Sequence, residues 1–561
     1  MEDIIGKVSA TEKNPSTLQF FYFWTKAGYD INPFDIVKVE HINGSFTFGR
    51  IEEISHVTDS ASHFSSYVSS NFGETSEDPS EGNTDRIAFN YIKAKVIGNS
   101  KNIYTPVLHG HNVRLCTVDD IQKALGLDEA KKKNSVVCGY LKMYGQEVPV
   151  PINANFLVGP DGAHLNISGI SGLACKTSYT MFLMNALQQK YNSEKKEKVG
   201  YIMFNVKGRD LLNIDDPTEV LSNTDDESKK QAEELNRQYK LLGLEVKPFS
   251  DVHYYFPYSD KEEQHNVQSF GDWEKMLKPK FNKNKASIFK YPYSACVSKL
   301  RYLFANEPDP TNTMESIISW IEDENDPFTG LKLWSQFNHK LGKIISGSND
   351  IPARKTIALG SWKKFCRIIT KILSGCVFRD GVDEKSNEVV LENDLRNIKA
   401  GEVKVIDIAR LDSYTQAFVF GDVMGTVIDM MNTKLGPDAL DKVVIFVDEL
   451  NKYASKDCPS NSLILQHLLD VTERGRSLGI ILFGVEQFRS NIHDRVKGNC
   501  STNAIGRTSY TEVSASDYRH LGDTYKDIAT RLKPGEYIIQ NPALRSLIKV
   551  EFPYPTYKQN S

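Results

Sequence analysis

Cysteine is scarce in this 561-residue chain: eight residues, spread from Cys116 to Cys500, with no C-x-x-C pair and no short Cys/His cluster. That excludes a disulfide framework or a structural zinc as the organising device and leaves reduced, mostly buried thiols as the expectation. Long hydrophobic runs are missing as well. No stretch approaches the ~18 apolar residues of a membrane span, so no bilayer segment is expected. The opening MEDIIGKVSATEK has two acids straight after Met1 and lacks both a basic start and an apolar core. It is unlike a secretory signal, and the cytoplasm is the expected compartment. Nor is there a surplus of positive charge. Against 68 Lys and Arg stand 72 Asp and Glu, a net charge of −4. The field of the whole molecule repels a polyanion, and any nucleic-acid contact must be local. Internal repeats are absent, as is any Ser/His/Asp set. The pair His109 and His111 in LHGHN reads as surface histidines of a strand rather than as ligands.

What is present is an ordinary globular composition, 40% hydrophobic and 25% charged, in a chain too long for one core. Residues 1–115 alternate apolar and polar side chains in short aromatic-rich stretches, Leu18 to Trp24, DIVKVEHI, SFTFGRIEEI and RIAFNYIKAKVIG, between Gly and Asn turns. This predicts an all-β segment closing into a small barrel. Ser69 to Asp85, rich in Ser, Gly and acids, reads as a surface loop. From about Phe156 strand and helix patterns alternate, the signature of a parallel sheet covered by helices. Strand candidates are HLNIS, VGYIMFNV, VKVIDIA, KVVIFVDE, GIILFGV and the late EYIIQ and SLIKVEF. The predicted class is therefore α/β. An N-terminal barrel (1–115) precedes a core in two pieces (150–210 and 400–561), and a mainly helical subdomain (211–399) is inserted between them. In the insert, Ala232, Leu235, Tyr239 and Leu242 recur at helical spacing up to Gly243, and MESIISWIEDE and WKKFCRIITKILSG are further amphipathic helices.

The segment HLNISGISGLACKTSYTMFLMNALQQK joins a short strand, a loop with two glycines, a Lys-Thr pair and a long helix. Such a layout binds phosphate: loop N–H groups and the positive end of the helix meet the oxygens, the lysine reaches the terminal phosphates, and the threonine hydroxyl serves Mg²⁺. Gly169, Ser171, Gly172, Leu173, Ala174, Cys175, Lys176, Thr177 and Ser178 are the candidate nucleotide contacts. The loop departs from Gly-x-x-x-x-Gly-Lys-Thr/Ser. Cys175 and Ile170 stand where that pattern has its glycines, and Gly169 comes one place early. Either the loop is one residue longer or its path differs, and Cys175 must take torsions that glycine normally takes. The competing reading is a glycine-rich strand-to-helix turn with a solvated lysine.

In KVVIFVDEL an apolar run leads directly into Asp448 and Glu449. An acid at that edge can hold Mg²⁺ (Asp448, with Thr177) and the next can orient or deprotonate water (Glu449), which phosphoryl transfer requires. Strand-end acids kept for solubility are the alternative. The two stretches are expected to meet around a triphosphate at adjacent strand tips. GIILFGVEQ ends at Gln487, placed to sense the γ-phosphate or merely to satisfy a neighbouring loop. Arg474, ahead of Arg476, is favoured as a guanidinium inserted from a neighbouring subunit. Otherwise both arginines pair locally.

Taken in order, PFDIVKVE and GRIEEI, the loop GISGLACKTS, IMFNVKGRDLL, VVIFVDEL, TERGRSLGIILFGVEQF and LKPGEYII resemble HerA-like ATPases of the HerA/FtsK group across nearly the whole chain. The resemblance implies a RecA-like P-loop core and ATP with Mg²⁺ as cofactors. It further implies homo-hexameric rings with ATP between subunits, a channel for double-stranded DNA, and a barrel that docks a partner effector. By it, Lys176, Glu449, Gln487 and Arg474 are catalytic. The altered loop is similar to a bacterial anti-phage branch in which the partner is a sirtuin-like NADase or a nuclease. Two functions are expected: a DNA-translocating motor that activates its effector, or a nucleotide-stabilised scaffold that arrays effectors with little hydrolysis. Basic stretches that DNA would touch are KPKFNKNK (278–285) and the region of Arg495 and Lys497, both of which also read as solvated faces.

Overall fold

The computed structural model describes residues 4–26, 28–63, 65, 67, 87–131, 134–172, 174–223, 225–305, 309, 311–347, 351–433, 436–459 and 462–559. The Ser69 to Asp85 stretch and Leu173 lie outside the described residues. The chain divides into two compact units, Met1–Asn153 with Ile505–Phe552, and Ala154–Ala504 with Pro553–Ser561.

The first unit begins with β1 (Ile4–Val8), β2 (Phe20–Thr25), β3 (Ile36–His41), β4 (Ser45–Thr58), β5 (Ala88–Asn99) and β6 (Asn112–Leu115). They form a closed antiparallel barrel in the order β1-β2-β5-β4-β3-β6, with β6 pairing back onto β1. Closure leaves no edge strand to template aggregation. The alternation in FFYFWT turns Phe21 and Phe23 inward and leaves Trp24 exposed. Those rings pack with Ile5, Val37, Val39, Ile51 and Ile92. A hairpin follows, β7 (Ser135–Met143) and β8 (Gln146–Asn153), turning on Tyr144 and Gly145, both at positive φ (52° and 71°). Such torsions suit the two-residue turns that match strand twist.

The second unit carries β9 (Leu165–Ser168), β10 (Val199–Asn205), β11 (Val252–Pro257), β12 (Ala286–Lys290), β13 (Glu388–Val390), β14 (Val403–Asp407), β15 (Lys442–Val447), β16 (Ile480–Glu486) and β17 (Thr502–Ile505). Their order is β13-β12-β11-β14-β10-β15-β16-β9-β17, and every pair from β13 to β9 is parallel. Every residue of β10, β15 and β16 is buried, as short apolar runs covered on both faces must be. Three strands, β11 to β13, come from the stretch read as mainly helical. That stretch also holds the expected helices. The principal helices of this unit are α1 (Lys176–Glu194), α2 (Asp226–Leu242, capped by Gly243 at φ 69°), α3 (Thr313–Glu322), α4 (Leu359–Leu373), α5 (Ser413–Asn432) and α6 (Leu463–Leu478). Helix α6 lies on β16 and against α5. Among the described residues no helix is long and apolar enough to cross a membrane.

The late strands β18 (Glu536–Gln540) and β19 (Ile548–Glu551) pair antiparallel, and β19 pairs with β7. They fall in the first compact unit, and their antiparallel pairing differs from the parallel arrangement that the strand pattern of EYIIQ and SLIKVEF predicts. A second core of that unit joins Phe34 to Val513, Tyr518, Tyr525 and Ile538.

Candidate nucleotide-binding site

The C-terminal ends of β9, β10, β15 and β16 converge on one crevice, where open α/β sheets bind ligands. Strand β9 delivers the chain at Ser168, and α1 starts at Lys176. In between, the N–H of Gly169 donates to the Glu486 carbonyl (3.3 Å) and that of Ala174 to the Ile170 carbonyl (3.0 Å). Gly169 and Gly172 take φ 155° and 79°, and Cys175 sits in the left-handed region at φ 49°, ψ 39°. The cysteine thus holds the torsions foreseen for an absent glycine. Lys176 is 8% exposed. Its ammonium folds back over the loop, donating to the Gly169 carbonyl (2.7 Å) and Ser171 Oγ (3.1 Å). Burial lowers its pKa, against the pull of the Asp448, Glu486 and Glu449 carboxylates. The far part of α1 is anchored by Gln188, whose amide donates to the carbonyls of Ser250 and Gly401 (2.8 Å each).

Asp448 follows β15 and is 6% exposed. Its Oδ1 accepts from the Glu449 N–H (2.8 Å) and its Oδ2 from the Thr177 hydroxyl at 3.5 Å. The expectation of adjacent strand tips is corrected here: β16 stands between β9 and β15. The contact survives because the helix after β9, not the strand itself, brings Thr177 across.

Glu449 occupies the left-handed region (φ 54°), which turns its carboxylate toward two lysines. Lys207, two residues beyond β10, approaches Oε1 to 2.7 Å, and Lys452 pairs with Oε2. Burial alone would raise the pKa of Glu449, but these two ammonium groups hold it below the usual glutamate value. Conversely, burial works against the charge on Lys207, and Asp448 and Glu449 keep its pKa raised. Asp210, on the exposed rim of the crevice, has its pKa raised by desolvation and by the Asp448 charge.

Two cavities share Ser171, Lys176, Lys207 and Asp448 as a common wall. One, of about 290 Å³, is lined by Glu449, Glu486, Gln487 and Asn491. The other, of about 320 Å³, is lined by Gly172, Cys175, Thr177, Ser178, Asp210, Tyr557 and Gln559. Of the predicted residues the structure therefore brings together Ser171, Gly172, Cys175, Lys176, Thr177, Ser178, Asp448, Glu449 and Gln487. Gly169 and Ala174 shape the loop behind them. Arg474 lies on α6 with its side chain 68% exposed, facing Asp470 at 3.8 Å, and lines neither cavity. Arg476 donates to the Asp161 carbonyl (3.3 Å). Lys207, Asp210, Tyr557 and Gln559 were not assigned from sequence. IMFNVKGRDLL carries Lys207 and Asp210, but in sequence a lysine just past a strand reads as solvation. The aromatic pattern of PYPTY was the available signal for the tail.

The basic stretches are occupied. Lys280, 5% exposed, and Lys285 both pair with the buried Asp215 (3.1 and 2.6 Å), and Lys278 pairs with Glu274 (2.7 Å). Arg495 meets Glu473 (2.7 Å) and Lys497 meets Asp494 (2.9 Å).

No family model matches the chain, and no curated protein matches it. Among solved structures it is similar to the unbound bacterial conjugative coupling protein TrwBdeltaN70, at 12% identity over 78% of this chain and 94% of that one, with a TM-score of 0.40. It is similar to VirB4 of Thermoanaerobacter pseudethanolicus at 12% identity over 75% of this chain and 96% of that one, TM-score 0.42. The genome packaging NTPase B204 from Sulfolobus turreted icosahedral virus 2, in complex with ATP-gammaS, matches at 13% identity over 29% of this chain and 72% of that one, TM-score 0.22.

Proposed function

We propose that this chain is a RecA-like P-loop ATPase of the HerA/FtsK kind that binds and hydrolyses ATP in the crevice between α1 and the ends of β15 and β16. The observation that supports this reading best is the meeting of Thr177 Oγ1 and Asp448 Oδ2 at 3.5 Å beside the Lys176 ammonium, across 271 residues of sequence. Two hard oxygen donors at that separation suit Mg²⁺, which keeps most of its shell as water and substrate phosphate. When bound there, it neutralises charge on the phosphates. Lys176, whose present partners are a carbonyl and a hydroxyl of its own loop, is free to exchange them for phosphate oxygens. Glu449 then orients and deprotonates the attacking water, and Gln487, exposed at the mouth of the same cavity, senses the terminal phosphate. Arg474, exposed and only loosely paired, is suited to reach a neighbouring copy's phosphates.

In this proposal the assembly is a homo-hexamer in the cytoplasm whose barrel docks an effector, a nuclease or sirtuin-like NADase in anti-phage defence, with double-stranded DNA in the pore. The second reading, a nucleotide-stabilised scaffold, is favoured by the lysine pair that engages Glu449 and by the pairing of the basic stretches. Two variants test the proposal. Lys176→Ala is expected to weaken ATP binding by about 10- to 100-fold, the worth of a hydrogen bond to a charged group. Glu449→Gln is expected to leave binding intact and lower kcat by about 10²- to 10⁴-fold. ATP binding untouched by the first change would overturn the site. Effector activation that persists in Glu449→Gln would select the scaffold over the motor.

A further inference from the structure

The segment Pro553–Gln559 runs beside the phosphate loop, far in sequence from every motif that builds it. It is held there by a chain of specific contacts. The Thr218 N–H donates to the Thr556 carbonyl and the Lys558 N–H to the Asp216 carbonyl (2.9 Å each), framing an antiparallel bridge between Pro217 and Tyr557. Thr556 Oγ1 donates to the Lys247 carbonyl (2.8 Å), and Lys558 pairs with Glu219 (2.8 Å). The result is a buried Tyr557, 3% exposed and packed on Phe249, whose hydroxyl meets Ser178 in the first turn of α1 and the side chain of Gln559. Gln559 remains half-exposed and lines the cavity.

The two cavities give this placement a direction. A nucleotide bound at Lys176 directs its terminal phosphate toward Glu449 and Gln487, the hydrolytic side. The remainder of the molecule must then extend into the other cavity, whose outer wall is Tyr557 and Gln559. That wall offers what a ribose and a base require, a phenol ring edge and an amide with both donor and acceptor. We propose that the segment 553–559 forms the nucleoside half of the site, with Tyr557 and Gln559 contacting the ribose and base while the loop holds the phosphates. This rests on the nucleotide reading above, and adds that the chain's own C-terminal segment, anchored on residues 216–219 and 247, completes the pocket.

Inorganic tripolyphosphate carries the phosphates without the nucleoside and therefore separates the two halves. Binding of ATP and of tripolyphosphate is measured by calorimetry on the full-length wild type, Tyr557→Ala, Gln559→Ala and Lys176→Ala. The expected result is ATP binding weakened about tenfold by Tyr557→Ala and about threefold by Gln559→Ala, with tripolyphosphate binding unchanged in both. Lys176→Ala is expected to weaken both ligands. Gln559 is half-exposed, so its truncation reports on contact even if Tyr557→Ala perturbs the fold. Unchanged ATP affinity in both tail variants would overturn the proposal, and so would equal losses for ATP and tripolyphosphate, which would make the segment a mere support for the loop. A wild type that binds neither ligand would overturn the nucleotide reading together with it.

Discussion

Cys175 is held at φ 49° directly before α1, with no side-chain cap hydrogen bond. A non-glycine residue in that region costs roughly 1 kcal/mol or more, and glycine relieves it. Cys175→Gly is therefore expected to raise the stability of the second unit by about 0.5–1 kcal/mol, read as a higher urea midpoint. ATP affinity should hold or improve, since the loop path is kept. A lower midpoint would show that the thiol contributes more than the torsion costs. The same residue shows what was legible: the Lys-Thr pair and the missing glycine announced both the loop and its strain, because a local motif carries them. Lys207 was not legible, because its meaning lies in a carboxylate 242 residues away (449 − 207). Its role has a pH signature. Lys207 and Lys452 hold the Glu449 pKa below the usual value, so the carboxylate proposed above to activate water stays ionised as pH falls through the ordinary glutamate range and is lost only below it. Lys207→Met should move the acid limb of the kcat/KM profile upward, toward an unperturbed glutamate, since that profile reports the free enzyme. An unmoved limb would remove Lys207 from the account.

At the scale of elements, the central strands were readable because β10, β15 and β16 are uninterrupted apolar runs, and burial on both faces permits little else. Strands β11 and β12 were not. HYYF and ASIFK carry polar tips whose partners lie elsewhere in the chain: Tyr254 donates to Asp215 (2.6 Å), Tyr255 to Asp394 (2.7 Å), and Lys290 pairs with Glu388 (2.7 Å). Helix α5 illustrates a related limit. Gly421 reads as a weak point in a helix, yet a Cβ there would lie 2.5 Å from the ring of Tyr302, whose hydroxyl is tied to His467 at 2.8 Å. Alanine would gain about 1 kcal/mol of helix propensity but overpack a core contact at about 1–3 kcal/mol. Gly421→Ala is expected to destabilise. Gly342→Ala, exposed in the helix Trp334–Ser346 with open space around it, is expected to stabilise by up to about 1 kcal/mol. Opposite shifts of the two urea midpoints would confirm that close packing, not propensity, explains the glycine in α5.

For the whole molecule, the association of residues 505–552 with the N-terminal barrel was hidden from sequence, since no local pattern encodes a contact made across the length of the chain. Tyr525 donates to the Ile51 carbonyl (2.7 Å), the Arg50 guanidinium lies 4.5 Å from the Tyr525 ring centroid, and Arg50 also donates to Ser546 Oγ (2.9 Å). Asp35 sits in the same unit, 4% exposed, and its stability contribution depends on both ends of the chain. Burial pushes its pKa from 3.8 to about 7, with Asp30 adding to the rise and the Asn32 N–H and Lys549 opposing it. In the second unit, burial likewise raises Asp407 to about 6, although Ser269 and Asn205 donate to it. For a carboxyl raised in the fold, the native state keeps its proton while the unfolded chain releases it. Stability is then highest below the unfolded value, falls as pH rises toward the folded value, and is level above it. Each group imposes a slope of at most ~1.4 kcal/mol per pH unit. Asp35→Asn keeps the shape and an oxygen for the Asn32 N–H but cannot ionise. The gap in stability between Asp35→Asn and wild type, followed by urea melts, should therefore widen as pH rises toward about 7 and stay constant above it. A gap that is independent of pH over that interval would mean that Lys549 keeps the carboxylate charged throughout.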